Sequence, residues 1–302
     1  MLRRDVLFST IAAGAGAIAT PRGLPASTAG ERRGRARIQT RDGVSLFYRD
    51  WGSGRPVLFV HSLSLSSAMW SYQEAFLGDH GVRCVSFDRR GHGRSDEAAP
   101  GLDLDTYADD LEAVIDGLAL RDVVLAGHSV GCGEIIRYIA RHGTNRVAKV
   151  VMLAPTTPFV LQTADNPYGA PAAYFEQMRA AWAADYPKWL QDNRSPFFAA
   201  DTSPQMMDWV QTELLKAHVP TAIAYNRTYV RTDLRADLTR IDRPVLILHG
   251  DKDVSAPLDI TGRRTALGIP GAVLNVYTGA AHGLFVTHLN QVNRDILEFV
   301  NS

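Results

Sequence analysis

The sequence predicts an α/β protein built on one mostly parallel, eight-stranded sheet, with helices on both faces and a helical cap inserted into it. Three observations carry that expectation. Short apolar runs alternate with helical patterns along most of the chain, the signature of successive strand–helix units. Runs such as Pro56–His61 (Pro-Val-Leu-Phe-Val-His) are apolar almost throughout, as required of strands covered on both faces. The alternation stops over 156–240, where Pro158, Pro167, Pro171, Pro187, Pro196 and Pro204 punctuate helical runs.

Composition narrows the class. The chain has 302 residues, of which 46% are hydrophobic and 21% charged, ordinary for a globular protein with a sizeable core and unlike a disordered tail. Lys plus Arg and Asp plus Glu are both 32, so the net charge is zero. That removes the main basis for binding nucleic acid or acidic membranes. Two cysteines are too few for a disulfide scaffold and lack zinc-type spacing. The expected partner is a small molecule, with the oligomeric state left open.

Residues 1–30 read as a leader. Arg3-Arg4 precede an apolar, small-residue run from Val6 to Ala19, followed by Pro21, Arg22, Gly23 and Pro25. The run falls short of the roughly 20 residues that cross a bilayer. A charged start, a short apolar middle and a loose tail fit a signal peptide, and Arg-Arg-Asp-Val-Leu-Phe resembles a twin-arginine signal. The expectation is an exported, soluble mature chain, with cleavage sites available after Ala19 and after Ala29. The competing reading is an unstructured N-terminus with a chance arginine pair.

The remainder, 31–302, reads as one α/β domain. Residues 36–40 and 44–51, joined by Asp42-Gly43, predict a hairpin. Further strands are expected at Pro56–His61, Val82–Asp88, Asp122–Ser129, Lys149–Ala154, Pro244–Gly250 and Ala272–Tyr277. Helical spacing falls at 66–79, 106–119, 131–142, 256–267 and 287–300. In the insertion, helical runs lie near 172–192, 204–218 and 221–235, placed where they could roof a pocket.

Gly127-His128-Ser129-Val130-Gly131 follows the apolar run Val123–Ala126 and opens a helix. A Gly-x-Ser-x-Gly turn between strand and helix lifts its serine to the tip of the sheet, over a helix N-terminus that favours negative charge. A serine needs a base, and the base needs an orienting acid. His249-Gly250-Asp251-Lys252-Asp253 ends one strand and Ala280-Ala281-His282-Gly283 follows the last. Both lie where open α/β sheets place their sites. Ser129, Asp253 and His282 form a complete constellation of nucleophile, acid and base. Asp251 competes for the acid's role, but its place directly after Gly250 suits bonding to turn N–H groups.

With those residues in place, the chain resembles the α/β-hydrolases, in particular the cofactor-free haloperoxidase and aryl-esterase group. The resemblance covers 36–302. It rests on the elbow, on Asp88-Arg89-Arg90-Gly91-His92-Gly93-Arg94-Ser95, and on the stretches Arg137–Gly143, Asp165–Pro171 and His282–His288. It implies Ser129 as nucleophile, Asp253 as acid, His282 as base, and the N–H groups of Leu63 and Val130 as oxyanion donors. Two departures stand out. The family's His-Gly is here His61-Ser62, and Cys132-Gly133 occupies a turn where two glycines often sit.

Other groups have plainer readings. The remaining histidines sit at helix ends or strand-end turns and read as structural. No metal-ligand spacing appears, and Cys84 and Cys132 are expected unpaired, with a strand between them. Cys132 reads as a packing residue rather than a second nucleophile. Trp182, Trp189 and Trp209 read as core before substrate contacts, while Phe159 and Phe285 are candidates for the acyl pocket. The expected activity is cofactor-free hydrolysis of small carboxylic esters through an acyl-enzyme. Perhydrolase or haloperoxidase chemistry and lactone hydrolysis on the same site are alternatives. A slow-turnover ligand-binding receptor is the reading from another class.

Overall fold

The computed structural model describes residues 36–97 and 101–302. The leader expected over 1–30 lies outside the described residues.

The opening hairpin consists of β1 (Arg37–Gln39) and β2 (Ser45–Trp51), turning at Gly43 with φ 86°, a conformation that glycine adopts without a Cβ clash. There follow β3 (Arg55–Val60), β4 (Val82–Phe87), β5 (Val123–His128), β6 (Val147–Leu153), β7 (Val245–Gly250) and β8 (Val273–Tyr277). Their order across the sheet is β1-β2-β4-β3-β5-β6-β7-β8. Only β2 runs antiparallel to its neighbours; the other pairs are parallel. The sheet is thus eight-stranded and mostly parallel, and β3 separates the Cys84 strand from the elbow.

Alternation along the central strands feeds two cores. Val57 and Phe59 of β3 and Val124 and Ala126 of β5 pack on one face, with Leu77 of α1 (Ser71–Asp79) and Ile296 of α11 (Leu289–Asn301). Leu58, Val60, Val123 and Leu125 face the other side, against Leu111 of α2 (Leu104–Gly117) and Ile135 of α3 (Val130–His142). This is why the central runs are continuously apolar.

Between β6 and β7 the insertion carries α4 (Ala172–Asp192), α5 (Arg194–Phe197), α6 (Pro204–Leu214), α7 (Val219–Tyr229) and α8 (Arg235–Leu238). The helix expected over 172–192 breaks at Asp185, with φ −159°. Pro187 lacks an N–H and crowds the preceding turn. The Asp185 Oδ1 accepts the Lys188 N–H at 2.9 Å and so caps the restarted helix. Two other expectations shift. The helix expected at 256–267 is confined to α9 (Gly262–Gly268), because the chain before it is a turn organised by Asp253. That expected at 287–300 begins early as α10 (Leu284–Thr287) before α11.

Candidate active site

Ser129 occupies the turn from β5 to α3 with φ 57° and ψ −120°, a region that non-glycine residues enter only under constraint. Its flanking glycines solve a separate problem, that of space. A Cβ on Gly131 would stand 2.6 Å from the Val60 carbonyl oxygen, and one on Gly127 would stand 2.9 Å from the Cys132 nitrogen. The strain sits on the serine, and the glycines let α3 come down onto β3.

The three expected residues meet. His282 Nε2 lies 3.0 Å from Ser129 Oγ, and its Nδ1 lies 2.7 Å from Asp253 Oδ2. All three are about 95% buried, with exposures of 4%, 5% and 5% for Ser129, Asp253 and His282. The Asp253 loop is fixed by the Ala256 N–H, which donates to Oδ1 at 2.8 Å. His249 Nε2 stands 3.2 Å from Oδ2 and 2.8 Å from the Ala256 carbonyl. Burial alone would raise the Asp253 carboxyl; the charge of His282 and the hydrogen bonds from His249 and His282 outweigh it and hold it well below the ordinary carboxylate range. Asp251 is exposed and accepts the Gly279 N–H at 2.7 Å, a turn contact away from His282.

His282 is oriented through its backbone as well. His128 Nε2–H donates to the His282 carbonyl at 2.9 Å. Burial, then repulsion from His282, lowers His128 to about 3, so it remains a neutral donor. From the insertion, the Phe197 carbonyl accepts the Gly283 N–H at 2.8 Å and the Phe197 ring lies edge-on 5.6 Å from the imidazole.

The loop after β3 carries Leu63, and the turn after β5 opens α3 at Val130. Both line the cavity beside Ser129 and His282, and neither N–H donates within the loop or turn. That loop is braced from below. Arg89, fully buried, donates from Nη2 to the His61 carbonyl at 2.7 Å and from Nη1 to that of Ser62 at 3.2 Å. Its guanidinium is paired with Glu134 of α3 at 2.6 Å, and Tyr225 of α7 donates to the same carboxylate at 2.8 Å. The brace therefore ties the loop, the helix that follows Ser129 and the insertion together. Burial pushes the Cys132 thiol well above its ordinary value, which leaves it a packing residue.

Above Ser129 lies a cavity of about 480 Å³, walled by Phe159, Phe175, Trp182, Tyr186, Trp189 and Phe197 of the insertion. Phe159 stands where the sequence placed it. Phe285 does not: it is fully buried under the site, its ring 5.1 Å from His128. The residues after His282 turn straight into α10 and drive that ring into the core. Trp182 and Trp189 reach the wall, whereas Trp209 packs edge-on against Tyr72 at 5.4 Å. No cluster of ligating side chains that could hold a metal is present among the described residues, and none of their helices is long and apolar enough to cross a membrane.

A family profile described as "Alpha/beta hydrolase family" matches residues 57–294. The chain belongs to the alpha/beta hydrolase family. Within it, this hydrolase is 41% identical over 275 residues to a non-heme haloperoxidase of Rhodococcus erythropolis, covering 88% of this chain and 99% of the relative. It is 35% identical over 277 residues to a bifunctional esterase/perhydrolase of Acinetobacter calcoaceticus, again covering 88% and 99%. An esterase from Exiguobacterium antarcticum superposes with a TM-score of 0.85 at 30% identity, covering 88% of this chain and 99% of that one.

The sequence reading missed Arg89 and Glu134 as partners, and Tyr229, Phe197 and Asn226 as parts of the wall. Arg89 carried a signal, since a charged residue directly after an apolar strand must find a partner if buried. The wall residues carried none.

Proposed function

We propose that this hydrolase cleaves small carboxylic esters with Ser129 as nucleophile, His282 as general base and then acid, and Asp253 as the acid that holds the imidazolium. His282 Nε2 takes the hydroxyl proton as Oγ attacks the ester carbonyl. The tetrahedral oxyanion settles between the N–H groups of Leu63 and Val130. Collapse expels the alcohol, which leaves with the proton from Nε2. Water, deprotonated by the same nitrogen, then attacks the acyl carbonyl, and the C–Oγ bond breaks as Nε2 returns the proton to Ser129 Oγ and the acid is released. The observation that carries this reading is the unbroken contact chain from Ser129 Oγ through His282 to Asp253 beside an aromatic cavity.

A fluorophosphonate should label Ser129 stoichiometrically and abolish aryl-acetate hydrolysis, and Ser129→Ala should neither label nor turn over. Labelling with only a handful of turnovers would instead favour a receptor.

The relatives' names favour a second activity on this site. Hydrogen peroxide replacing water would take the acyl group from Ser129 as a peracid, with His282 accepting the peroxide proton, and the peracid would oxidise halide. The esterase reading predicts that peroxide competes with water at a common acyl-enzyme, so Ser129→Ala should remove both activities together.

Export by a twin-arginine signal over residues 1–30, ahead of the hydrolase domain, is part of the same proposal. It rests on Arg3-Arg4 and the short apolar run after them. Replacing both arginines by lysine should retain active enzyme in the cytoplasm; unchanged export would sink this reading.

A further inference from the structure

The aromatic wall holds one polar side chain whose orientation is forced. Asn226 lies on α7 one turn before Tyr229 and Val230, and all three line the cavity. Only 7% of Asn226 is exposed, and its Oδ1 accepts a 2.9 Å hydrogen bond from Nη1 of Arg179. Arg179 stands behind the wall on α4, itself 9% exposed. A guanidinium carries donors and no acceptor. The amide therefore cannot flip: its oxygen faces Arg179, and its Nδ2 donors remain for the cavity.

Nδ2 has no acceptor among the described residues. Two other polar groups of the wall are occupied. The Tyr229 hydroxyl donates to the Thr156 carbonyl at 3.1 Å, and Gln211 bonds both Arg194 and Gln191. Arg179 makes no ion pair among the described residues, and Arg227 and Arg231 outnumber Glu176 around it. Its positive charge polarises the amide it holds and strengthens Nδ2 as a donor.

We infer that Asn226 selects substrate: its Nδ2 donates to a second oxygen acceptor (keto, alkoxy or carboxylate) on the part of the ester that lies under α4 and α7. The physical reason is asymmetric. An apolar group there would strip water from a buried donor without replacing the bond, whereas an acceptor replaces it. Arg179 is a positioning residue that sets the amide's orientation and touches no substrate.

This inference rests on the ester-hydrolase reading, and one experiment separates the two. The probes are matched pairs differing only in the acceptor. On the acyl side these are 2-phenylethyl 4-oxopentanoate and its isosteric 4-methylidene analogue. On the alcohol side they are 2-(4-acetylphenyl)ethyl acetate and the isopropenyl analogue. The readout is the ratio of kcat/KM within each pair, which a general loss of activity does not move. The wild type should favour the ketone by about tenfold in one of the pairs, the worth of one net hydrogen bond.

Asn226→Asp keeps the Arg179 contact but presents a carboxylate, so the ratio should fall to one or below. Asn226→Leu should bring it to one, and Arg179→Met, which frees the amide to turn, should lower it in part. A ratio near one in both wild-type pairs, or a ratio retained in Asn226→Asp and Asn226→Leu, overturns the inference while leaving ester hydrolysis standing. Failure of the wild type to hydrolyse any of the four esters overturns both.

Discussion

The carboxyl edge of the sheet and the insertion above it both face Ser129, yet they are held by different means. At the edge, the groups proposed to react are pinned by bonds to backbone. His128 holds the His282 carbonyl, the Ala256 N–H holds Asp253, and Arg89 holds the carbonyls of His61 and Ser62. The insertion gathers its own small core from Trp182, Tyr186, Leu190 and Ala222. Around it run exposed ion pairs such as Lys188–Asp192 and Arg194–Asp208, each worth about 0–1 kcal/mol. Backbone is shared by every sequence that makes the fold, and side-chain packing is not. On the proposed mechanism, the difference puts the reaction at the edge and selectivity in the insertion.

The largest effect that can test this division comes from the edge. Asp253→Asn should leave the fold intact and lower turnover by about 10⁴-fold, because an amide stabilises the wrong imidazole tautomer. Asp251→Asn should cost about 1 kcal/mol of stability for its turn hydrogen bond and little turnover. Steady-state kinetics and melting curves of the two variants settle the matter. A kinetic loss in Asp251→Asn with Asp253→Asn near wild type would show that the acid is misassigned. No substitution in the wall, Asn226 included, should approach that loss on a simple acetate ester.

An intermediate effect concerns pH and also belongs to the edge. His92 lies 5.3 Å from the His61 ring under the loop that carries Leu63. Burial, then the charge of Arg89, lowers it to about 3, and burial with repulsion from His282 lowers His128 to about 3. An unfolded histidine titrates near 6.5. Between those values the unfolded chain holds a proton that the native state refuses, so stability is full above about 6.5 and falls as pH drops toward 3. At pH 5 each such histidine costs about 2 kcal/mol relative to neutral pH. His92→Gln should therefore show a smaller drop in urea midpoint from pH 7 to pH 5 than the wild type. Parallel drops would mean that His92 is protonated in the folded protein.

The same division explains what was legible in the sequence. Strand positions, the elbow and the placing of Asp253 and His282 follow from rules that act locally: continuous apolar runs, a strained turn, residues at strand ends. The brace Arg89–Glu134–Tyr225 joins β4's turn, α3 and α7, and no local pattern pairs residues so far apart. Phe285 shows the limit most sharply. It is three residues from His282 and apolar, yet the immediate entry into α10 points its ring into the core, a matter of backbone direction that spacing does not encode. In the insertion, Trp182 and Trp189 reach the wall and Trp209 does not, although all three share the same helical signal.

The smallest expected effect tests whether the edge works through backbone alone. Ser62 stands where the family's pattern has glycine, and glycine there would be indispensable only if the loop needed a left-handed residue. It does not at this position: Ser62 is absent from the residues of positive φ, whereas Ser64 has φ 61°. The bonds that fix residue 62 are made by its main chain. Its N–H meets Met69 Sδ at 3.4 Å, and its carbonyl accepts from Arg89 and from His61 Nδ1 at 2.7 Å. Removing the hydroxymethyl group leaves all of them in place, and with them the aim of the Leu63 N–H. Ser62→Gly should therefore keep kcat/KM on an aryl acetate within about tenfold, against the hundred- to thousandfold typical of losing one oxyanion donor. A loss of that larger size would make the hydroxyl of Ser62, a residue that lines the same cavity, an oxyanion donor in its own right, and would bring a side chain into machinery otherwise built from main chain.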